Sequence, residues 1–295
     1  MTTNGVVLVI GESLIDVVRD GGERRHPGGS PMNVAYGLGR LGVATALLTH
    51  LADDADGALI RRHLESGGAT LAAGSVSAVR TGTAVATPRE SGSMEYEFDL
   101  EWRLPSSRFG TTPTWIHIGS IATFLEPGAG EIERLLAARA PGTRVSYDPN
   151  IRPTLMPEHR SALERFERLV GASDVVKLSD EDAAWLYPGM SMTDVIHRLL
   201  ALGPELVALT QGEHGARLST VDHDVHFSPP AITVVDTIGA GDSFMSAMIA
   251  TLVPRHGALD ARALNEIVRT AATAATITCT REGALPPTAA ELAEW

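Results

Sequence analysis

The sequence predicts an α/β fold in which a mostly parallel β-sheet is covered by helices and accompanied by a smaller accessory sheet. Short apolar runs alternate along the chain with segments in which apolar residues recur every three or four positions, a pattern typical of β–α units. One region instead alternates apolar and polar residues, which favours a β-hairpin. The 295 residues contain no internal repeat, low-complexity tract or linker, so we expect a single domain over residues 1–295.

Six apolar runs are the predicted strands of the main sheet, and they lie at 6–10, 44–49, 114–119, 144–148, 174–178 and 205–210. Several of them are separated by amphipathic segments such as EIERLLAARA, SALERFERLV and MTDVIHRLLALG, which predict helices packed against the sheet. Because ligands of such sheets gather at the carboxyl ends of the strands, we expect the functional site at that edge.

The accessory sheet is predicted from two segments. Residues 81–105 alternate around a turn signal at 89–92, which indicates a hairpin, and residues 14–29 could pair with it over one edge of the main domain. We interpret this sheet as a lid, and the alternative is an ordinary antiparallel edge. The predicted hairpin carries three aromatic side chains that could stack on a ligand or pack between subunits: Tyr96, Phe98 and Trp102.

Composition narrows the class of partner. The formal net charge is −12, which argues against a nucleic-acid partner or an anionic membrane surface, because both reward clustered Lys and Arg. Cys279 is the only cysteine, so no intrachain disulfide can form. The first residues lack a basic region, and their apolar run is too short for a signal peptide or a membrane span. We therefore expect a cytoplasmic protein that acts on a small molecule.

Lys177 is the only lysine of the chain. A P-loop requires a Gly-Lys pair, which is absent from this sequence, so a Walker-type nucleotide site is excluded. The segment around Lys177 is also not followed by the H-R-D or D-F-G elements of protein kinases. A dinucleotide-binding fold would need G-x-G-x-x-G after the first strand, where the chain reads GESLID.

Glycine and asparagine cluster in the segment HPGGSPMNVAYGLGRLG. Gly28 and Gly29 allow a backbone to approach a ligand closely, and Asn33 in the first turn of the following helix can donate to and accept from a hydroxyl. Asp16, just past the first strand, could bind two neighbouring hydroxyls. These residue types suit a neutral polyol, and the alternative is a tight turn followed by a closely packed helix.

The segment VVDTIGAGDSFMSAMIA carries the most specific chemistry. Residues 232–236 predict a strand, and an apolar helix follows the glycines. Backbone N–H groups of Gly239, Ala240 and Gly241 could converge on a phosphoryl group as an anion hole. Asp242 would then accept the proton of an attacking hydroxyl. The alternative makes Asp242 a plain helix N-cap.

Two segments, DTIGAGDSF and GGSPMNVAYGLGRLG, closely resemble the signatures of the PfkB, or ribokinase-like, family of carbohydrate kinases. The segments DPNIR, KLSDEDAAWL, TQGEHGA and TCTREGALPPT follow in the order expected of fructokinase-like members, so the resemblance covers essentially the whole chain. It implies a ribokinase-like three-layer α/β/α sandwich with a small β-sheet lid. It also implies an ATP-dependent kinase in which Asp242 is the base and the backbone of 239–241 is the anion hole.

The resemblance further implies where the two substrates bind. The sugar would contact Asp16, Gly28, Gly29 and Asn33, with Arg152 and Phe98 as further candidates. The nucleotide would contact Lys177, Thr210, Gly212, Gly215, Gly241 and Gly283.

Two kinds of metal ion follow from the same resemblance. A monovalent cation, normally K⁺, would be held partly by Asp236 and by backbone carbonyls nearby, including that of Ile238. Mg²⁺ would arrive with ATP and stay mostly water-coordinated. Many members organise the Mg²⁺ waters with Asn-x-x-Glu, whereas this chain has Ser179 and Asp182 at the ends of the matching segment. We expect Asp182 in that role, with Glu181 as the alternative.

The implied reaction is transfer of the γ-phosphoryl group of ATP to a primary hydroxyl of a free sugar, with fructose giving fructose 6-phosphate as the first expectation. 2-Keto-3-deoxygluconate kinase, or another PfkB sugar or nucleoside kinase, is the alternative within the family. A sugar-binding regulator without turnover is the alternative from another class. Because lids of this family often pair across a two-fold axis, a homodimer is expected.

Overall fold

The computed structural model describes residues 6–19, 22–88, 94–105 and 112–295. Its strands are β1 (Val7–Ile10), β2 (Leu14–Arg19), β3 (Glu23–Gly28), β4 (Thr45–Leu48), β5 (Thr70–Leu71), β6 (Thr83–Pro88), β7 (Met94–Asp99), β8 (Trp115–Gly119), β9 (Arg144–Asp148), β10 (Val175–Ser179), β11 (Leu206–Thr210), β12 (Ala216–Ser219) and β13 (Asp224–Phe227). Its helices are α1 (Ser30–Arg40), α2 (Ala55–Ser66), α3 (Gly128–Ala137), α4 (His159–Gly171), α5 (Asp180–Leu186), α6 (Met192–Ala201), α7 (Ala240–Leu252), α8 (Ala261–Cys279) and α9 (Ala289–Glu294).

The main sheet of the described chain contains nine strands in the order β13-β12-β11-β10-β9-β8-β1-β4-β5. Strand β1 pairs in parallel with β4 and β8, and the pairs from β8 to β11 are parallel as well. Only β12 and β13 extend the described sheet in antiparallel fashion. The prediction of a mostly parallel sheet is confirmed, and all six predicted apolar runs contain a strand.

Helices cover both faces of this sheet. Successive side chains of a strand point to opposite faces, and in β1 the residues Val7 and Val9 pack into one core while Leu8 and Ile10 pack into the other. The first core is completed by α1, α2, α7 and α8, and the second by α3 to α6. Because both faces are buried, β1 is apolar at every position, as is usual for parallel strands. The three-layer α/β/α arrangement is confirmed.

A second sheet has four strands in the order β3-β2-β6-β7 within the described residues. Strands β6 and β7 are antiparallel, as the hairpin pattern predicts, and β2 joins them by pairing in parallel with β6. Both predicted segments, 14–29 and 81–105, therefore contribute to the small sheet, and the turn at 89–92 lies outside the described residues.

The strand predicted at 232–236 is wrong. These residues are described but form no strand, and the backbone N–H of Val235 donates instead to the carbonyl of Cys279 at the end of α8 (2.9 Å). Val234 and Val235 are 56% and 62% exposed. β-branched residues favour an extended chain, yet a strand also needs a neighbouring strand as partner, and here the nearest partner is a helix end. Among the helices of the described residues, none is long and apolar enough to cross a membrane.

Candidate active site

Two clefts lie at the carboxyl ends of strands of the main sheet, and the second sheet lines the first of them. The first, here called the polar cleft, has a volume of about 340 Å³ and is lined by side chains that include Asp16, Asn33, Arg152, Lys177 and Asp242. The second, here called the larger cleft, has a volume of about 720 Å³ and includes the loop after β11. Thr237 and Gly241 line both clefts, so the two meet at the first turn of α7.

Asp242 is the third residue of α7, and its side chain is fixed from the neighbouring helix. Ser30 Oγ donates to Asp242 Oδ1 (2.6 Å) and Asn33 Nδ2 donates to Asp242 Oδ2 (2.8 Å). Both donors belong to the first turn of α1, which packs against α7. Gly239 is the N-cap, without a side-chain cap, so the interpretation of Asp242 as a plain N-cap is wrong. The carboxylate is 8% exposed and lines the polar cleft, where a hydroxyl can reach it.

The three residues before Asp242 line one cleft, the other cleft or both. Gly239 has a left-handed conformation (φ 75°), which lets the chain turn sharply into α7. Gly239 lines the polar cleft, Ala240 the larger cleft and Gly241 both. The Ala240 amide donates to the Thr237 carbonyl (3.2 Å), so one of the three predicted anion-hole donors takes part in the turn.

Asp16 and Gly29 line the polar cleft, whereas Gly28 is not part of the lining and lies directly beside Asp16. An added Cβ on Gly28 would lie 2.0 Å from Asp16 Oδ2, so only glycine leaves room for this carboxylate. Gly29 (φ 104°) directly precedes α1 and lies close to the backbone of the loop that follows β1. A Cβ on Gly29 would lie 2.7 Å from the Glu12 carbonyl oxygen in that loop. The Asp16 side chain lines the cleft, and desolvation raises the pKa of its carboxyl to about 6, although the positive charges of His26 and Arg152 act to lower it.

Arg152 and Phe98 both line the polar cleft. The Arg152 guanidinium is exposed and folds back, donating to Asn150 Oδ1 (2.8 Å) and to the Ile151 carbonyl (3.1 Å). Trp102, by contrast, is 2% exposed and packs against Gly128, so the interpretation of this side chain as a ligand or subunit contact is wrong. The side chain of Tyr96 lies outside the described residues.

Glu12 was missed by the sequence reasoning. It follows β1, lines the polar cleft and is 2% exposed. Its Oε2 accepts from the Ala122 amide (3.1 Å) in a 3₁₀ turn that begins after Ser120, a residue held at φ 57°. Burial raises the pKa of the Glu12 carboxyl to about 7, although hydrogen bonds from Ser120 and backbone amides act in the opposite direction. The position of this carboxyl, two residues after the first strand, could have indicated a place in the site.

Lys177 lies in the polar cleft, and the larger cleft does not include it. It is 4% exposed, and its Nζ donates to Asp148 Oδ2 (2.9 Å) at the end of the adjacent strand β9. The same Nζ lies 3.2 Å from the place that a Cβ on Gly241 would occupy. The only lysine therefore stands beside the first turn of α7.

The larger cleft brings together most of the other predicted nucleotide residues. Thr210 ends β11, Gly212 begins the short 3₁₀ turn after it, and Gly215 follows that turn. Gly215 (φ 92°) passes so close to the end of β13 that a Cβ would lie 2.0 Å from the Phe227 carbonyl. Gly283 is not part of the lining, and its amide donates instead to Asp236 Oδ2 (2.9 Å).

Asp236 connects two loops beside the clefts. Its Oδ1 accepts from the Ile238 amide (3.0 Å) and its Oδ2 from the Gly283 amide, and these backbone hydrogen bonds, with Ile238 first, lower the pKa of the carboxyl. The carboxylate thus shapes the loop that leads into α7. The side chain of Ile238 is a hydrocarbon, so only its backbone carbonyl could bind a cation.

Asp182 has structural partners on both oxygens. Oδ1 accepts from the Ile151 amide (2.8 Å), and Oδ2 accepts from the Ser179 amide (2.9 Å) in a capping box at the start of α5. Glu181 is exposed and lines neither cleft. In the described ranges, no group of three or more His, Cys, Asp or Glu side chains could hold a metal ion. A role of Asp182 or Glu181 with Mg²⁺ stays a prediction.

Known proteins are similar to this chain over nearly its whole length. Residues 6–290 match the model of the pfkB family of carbohydrate kinases. The chain is 31% identical to a fructokinase of Klebsiella pneumoniae, over 96% of this chain and 95% of that protein, and 31% identical to fructokinase-2 of Solanum lycopersicum, over 98% and 95%. A double mutant of Vibrio cholerae O395 fructokinase, solved in a fructose, ADP and potassium ion bound form, superposes with a TM-score of 0.82 at 25% identity, covering 98% of this chain and 97% of that one.

The segment that matches the family contains the whole candidate site. The matched segment includes every described residue of both clefts, from Glu12 to Cys279. The relatives are also covered over nearly their full length, so the likeness is not confined to one motif. This chain belongs to the pfkB family of carbohydrate kinases.

Proposed function

We propose that this protein transfers the γ-phosphoryl group of ATP to the primary hydroxyl of a free sugar, converting fructose into fructose 6-phosphate. The observation that carries the proposal is the meeting of two clefts at Gly241 and Thr237, with the Asp242 carboxylate beside the junction. One cleft is rich in groups that bind hydroxyls, and the other contains the glycine loop after β11. Fructokinases among the relatives support the choice of fructose.

The chemistry follows from groups on this chain. Asp16 and Asn33 bind sugar hydroxyls and orient the primary hydroxyl toward Asp242. Asp242 accepts the hydroxyl proton while the hydroxyl oxygen forms a bond to the γ-phosphorus. The bond from the γ-phosphorus to the bridging oxygen breaks, and its electron pair leaves with ADP. First-turn amides of α7, with the partial positive charge of the helix N-terminus, stabilise the phosphoryl oxygens.

ATP occupies the larger cleft in this proposal, with its phosphates directed at the junction. Mg²⁺ bound to ATP would neutralise part of the phosphate charge, and its preference for keeping water ligands fits a site without a cage of described carboxylates. K⁺ would lie beside the loop shaped by Asp236, bound chiefly by backbone carbonyls, because both Asp236 oxygens already accept amides.

We also propose that the single domain closes over the sugar through the small sheet as a lid, formed by 14–29 and 81–105. Leu14, Ala84 and Phe98 of this sheet already line the polar cleft. Closure would exclude water, which Asp242 could otherwise activate for hydrolysis of ATP. A homodimer and a cytoplasmic location belong to the same proposal.

A kinase for an acidic sugar such as 2-keto-3-deoxygluconate is the second candidate, because Arg152 lines the polar cleft and could pair with a carboxylate. Two acidic side chains, Glu12 and Asp16, line the same cleft, and the charge of Arg152 acts on both. A guanidinium countered by two carboxyls favours a neutral hexose over an anion.

The test is ADP release with a panel of neutral and acidic sugars and Mg-ATP, with and without K⁺. Fructose should be the best substrate, and turnover of an acidic sugar alone would favour the second candidate. Asp242→Asn should lower kcat by about 10²- to 10⁴-fold, the usual contribution of a general base. Asp222→Asn, an exposed carboxylate in the turn between β12 and β13, is the matched control. Near-full turnover by Asp242→Asn would refute the mechanism, and no turnover with any sugar would favour the regulator.

A further inference from the structure

We propose that Glu12 binds the sugar directly, and that its carboxylate accepts a hydrogen bond from a hydroxyl other than the one that is phosphorylated. The inference rests on the proposed function and deepens it, because it adds a specificity-determining contact to the sugar site. Glu12 lies two residues after β1 and four residues before Asp16, which also binds a sugar hydroxyl in the proposed mechanism.

The polar cleft is the route by which a ligand reaches Glu12. The side chain is 2% exposed and lines this cleft, so the small exposed part of it faces the cleft. Asp16 and Asp242, the proposed sugar contact and the proposed base, line the same cleft of about 340 Å³. A hexose that lies between Asp16 and Asp242 therefore shares one confined space with the Glu12 carboxyl group.

The donors already present do not fill the acceptor positions of Glu12. An ionised carboxyl group offers about four such positions. Its donors in the described chain are the Ala122 amide (3.1 Å to Oε2), the Ser120 hydroxyl and the amide of Glu12 itself. Room is left for a further donor, and a sugar hydroxyl in the cleft supplies one.

The turn that holds Glu12 is strained. Ser120 (φ 57°) and Asn150 (φ 38°) are the non-glycine residues of the described chain that have a positive φ. Asn150 lines the polar cleft, and so does Ile121, which directly follows Ser120. Such backbone conformations cost free energy and cluster where a ligand is bound. The strain therefore points to a ligand at this part of the cleft.

Holding the turn does not require an acid. The Ala122 amide needs one acceptor oxygen, which the side chain of a glutamine also provides. A carboxylate is less favourable here, since burial raises the pKa of the Glu12 carboxyl to about 7. Arg152 opposes this shift by its charge, but its guanidinium donates to Asn150 and to the Ile151 carbonyl. The acid is better explained by a ligand hydroxyl, because a charged acceptor binds a hydroxyl more strongly than a neutral one does.

The competing explanation is that Glu12 only holds the turn after β8. The variant Glu12→Gln separates the two roles, because the glutamine carbonyl can keep the hydrogen bond to Ala122 while the charged acceptor is lost. A structural role predicts kcat and KM values near those of the parent. Sugar binding predicts a KM for fructose higher by about 10- to 100-fold, as for loss of a hydrogen bond to a charged group. The kcat and the KM for ATP should stay within about threefold, since a hydroxyl that does not react is bound equally before and during the transfer.

The matched control is Glu131→Gln. Glu131 on α3 also accepts a backbone amide, that of Leu104 (2.8 Å), and it lines neither cleft, so its replacement should leave all three constants unchanged. The parent is assayed first, by ADP release. A parent that phosphorylates no sugar refutes the proposed function. An active parent whose KM for fructose is matched within threefold by Glu12→Gln overturns the assignment of Glu12 alone.

The pH dependence is a readout that a purely structural role would not change. The other ionisable groups that line the polar cleft are present in both proteins, and so is His26, whose charge acts on Asp16: they are Asp16, Arg152, Lys177 and Asp242. Their titration cancels when kcat/KM for fructose of the parent is divided by that of Glu12→Gln. Because the ionised form is the acceptor and its pKa is about 7, this ratio should fall about tenfold from pH 8 to pH 6. A ratio that stays constant over this range overturns the proposal.

A crystal structure of the unaltered protein with fructose tests the contact without a variant. One carboxyl oxygen of Glu12 should lie about 2.5–3.0 Å from a sugar oxygen, the normal range for a hydrogen bond between two oxygens. A separation beyond about 4 Å from every sugar oxygen overturns the proposal even if Glu12→Gln fails to fold.

Discussion

Replacing Ser30 by alanine is expected to slow phosphoryl transfer although Ser30 does not perform the chemistry. Its hydroxyl donates the shorter of the two hydrogen bonds that fix Asp242 (2.6 Å), and both residues are 8% exposed. In the Ser30→Ala variant, Asp242 Oδ1 loses this donor inside a cleft that water only partly reaches. The carboxylate can then rotate away from the position from which it accepts the hydroxyl proton.

The size of the effect follows from the charge on the acceptor. A hydrogen bond to a charged group contributes about 1.5–3 kcal/mol, roughly twice the value for a neutral pair. If that interaction is lost in the transition state, kcat falls by about 10- to 160-fold, since each 1.36 kcal/mol changes a rate tenfold. The KM for ATP should stay near the parent value, because Ser30 lines the polar cleft only.

The assay compares kcat for fructose at saturating ATP in Ser30→Ala, Ser246→Ala and the parent. Ser246 is the matched control because it is a fully buried serine of α7 that lines neither cleft and whose hydroxyl donates to the Ser243 carbonyl (2.9 Å) rather than to Asp242. Its replacement should leave kcat within about twofold, since a neutral hydrogen bond outside the site changes stability alone. The reasoning is refuted if Ser30→Ala keeps more than half of the parent kcat, or if both alanine variants lose activity equally.

Two further predictions concern the rest of the polar cleft. Glu12 has a pKa of about 7 against an ordinary 4.5, so the folded state binds more protons than the unfolded state between these values and its stability falls as the pH rises from 4.5 to 7. Relative to the parent, Glu12→Gln should therefore gain about 3 kcal/mol of unfolding free energy between pH 4 and pH 8, measured by urea titration, and a pH-independent difference would contradict this. Gly28→Ala would place a Cβ 2.0 Å from Asp16 Oδ2, so we expect the KM for fructose to rise at least tenfold while the KM for ATP stays unchanged. The control is Gly22→Ala, which has open space around it and should match the parent. Equal KM values for fructose in both variants would show that Asp16 does not bind the sugar.

The sequence was sufficient for the layers of the fold and for the residues whose chemistry is local. Asn33 and Asp242 could be selected because each stands in the first turn of a helix, next to glycines that permit close approach. Asp16 could be selected because it follows the first strand closely in the sequence, although it lies within β2 and not at a strand end. The bond between Ser30 and Asp242 could not be predicted, because 212 positions separate the two residues and the packing of α1 against α7 decides their distance. For the same reason the ion pair between Lys177 and Asp148 at the polar cleft could not be predicted, and contact of Lys177 with the nucleotide stays a prediction. The missing strand at 232–236 has the same cause, since apolar pattern does not tell whether a partner strand is near.

A carboxylate in the first turn of α7 is at first sight opposed to phosphate binding, because it attracts the same amides and repels the same anion. The structure resolves this conflict by holding the Asp242 side chain from outside the helix. Ser30 and Asn33 draw both of its oxygens toward α1, so the carboxylate faces the polar cleft and leaves the backbone at Gly241 to the junction of the clefts. The ammonium of Lys177 adds positive charge at the same junction. The carboxylate and the ammonium can therefore stand side by side at the junction, since Ser30 and Asn33 hold the first and Asp148 holds the second.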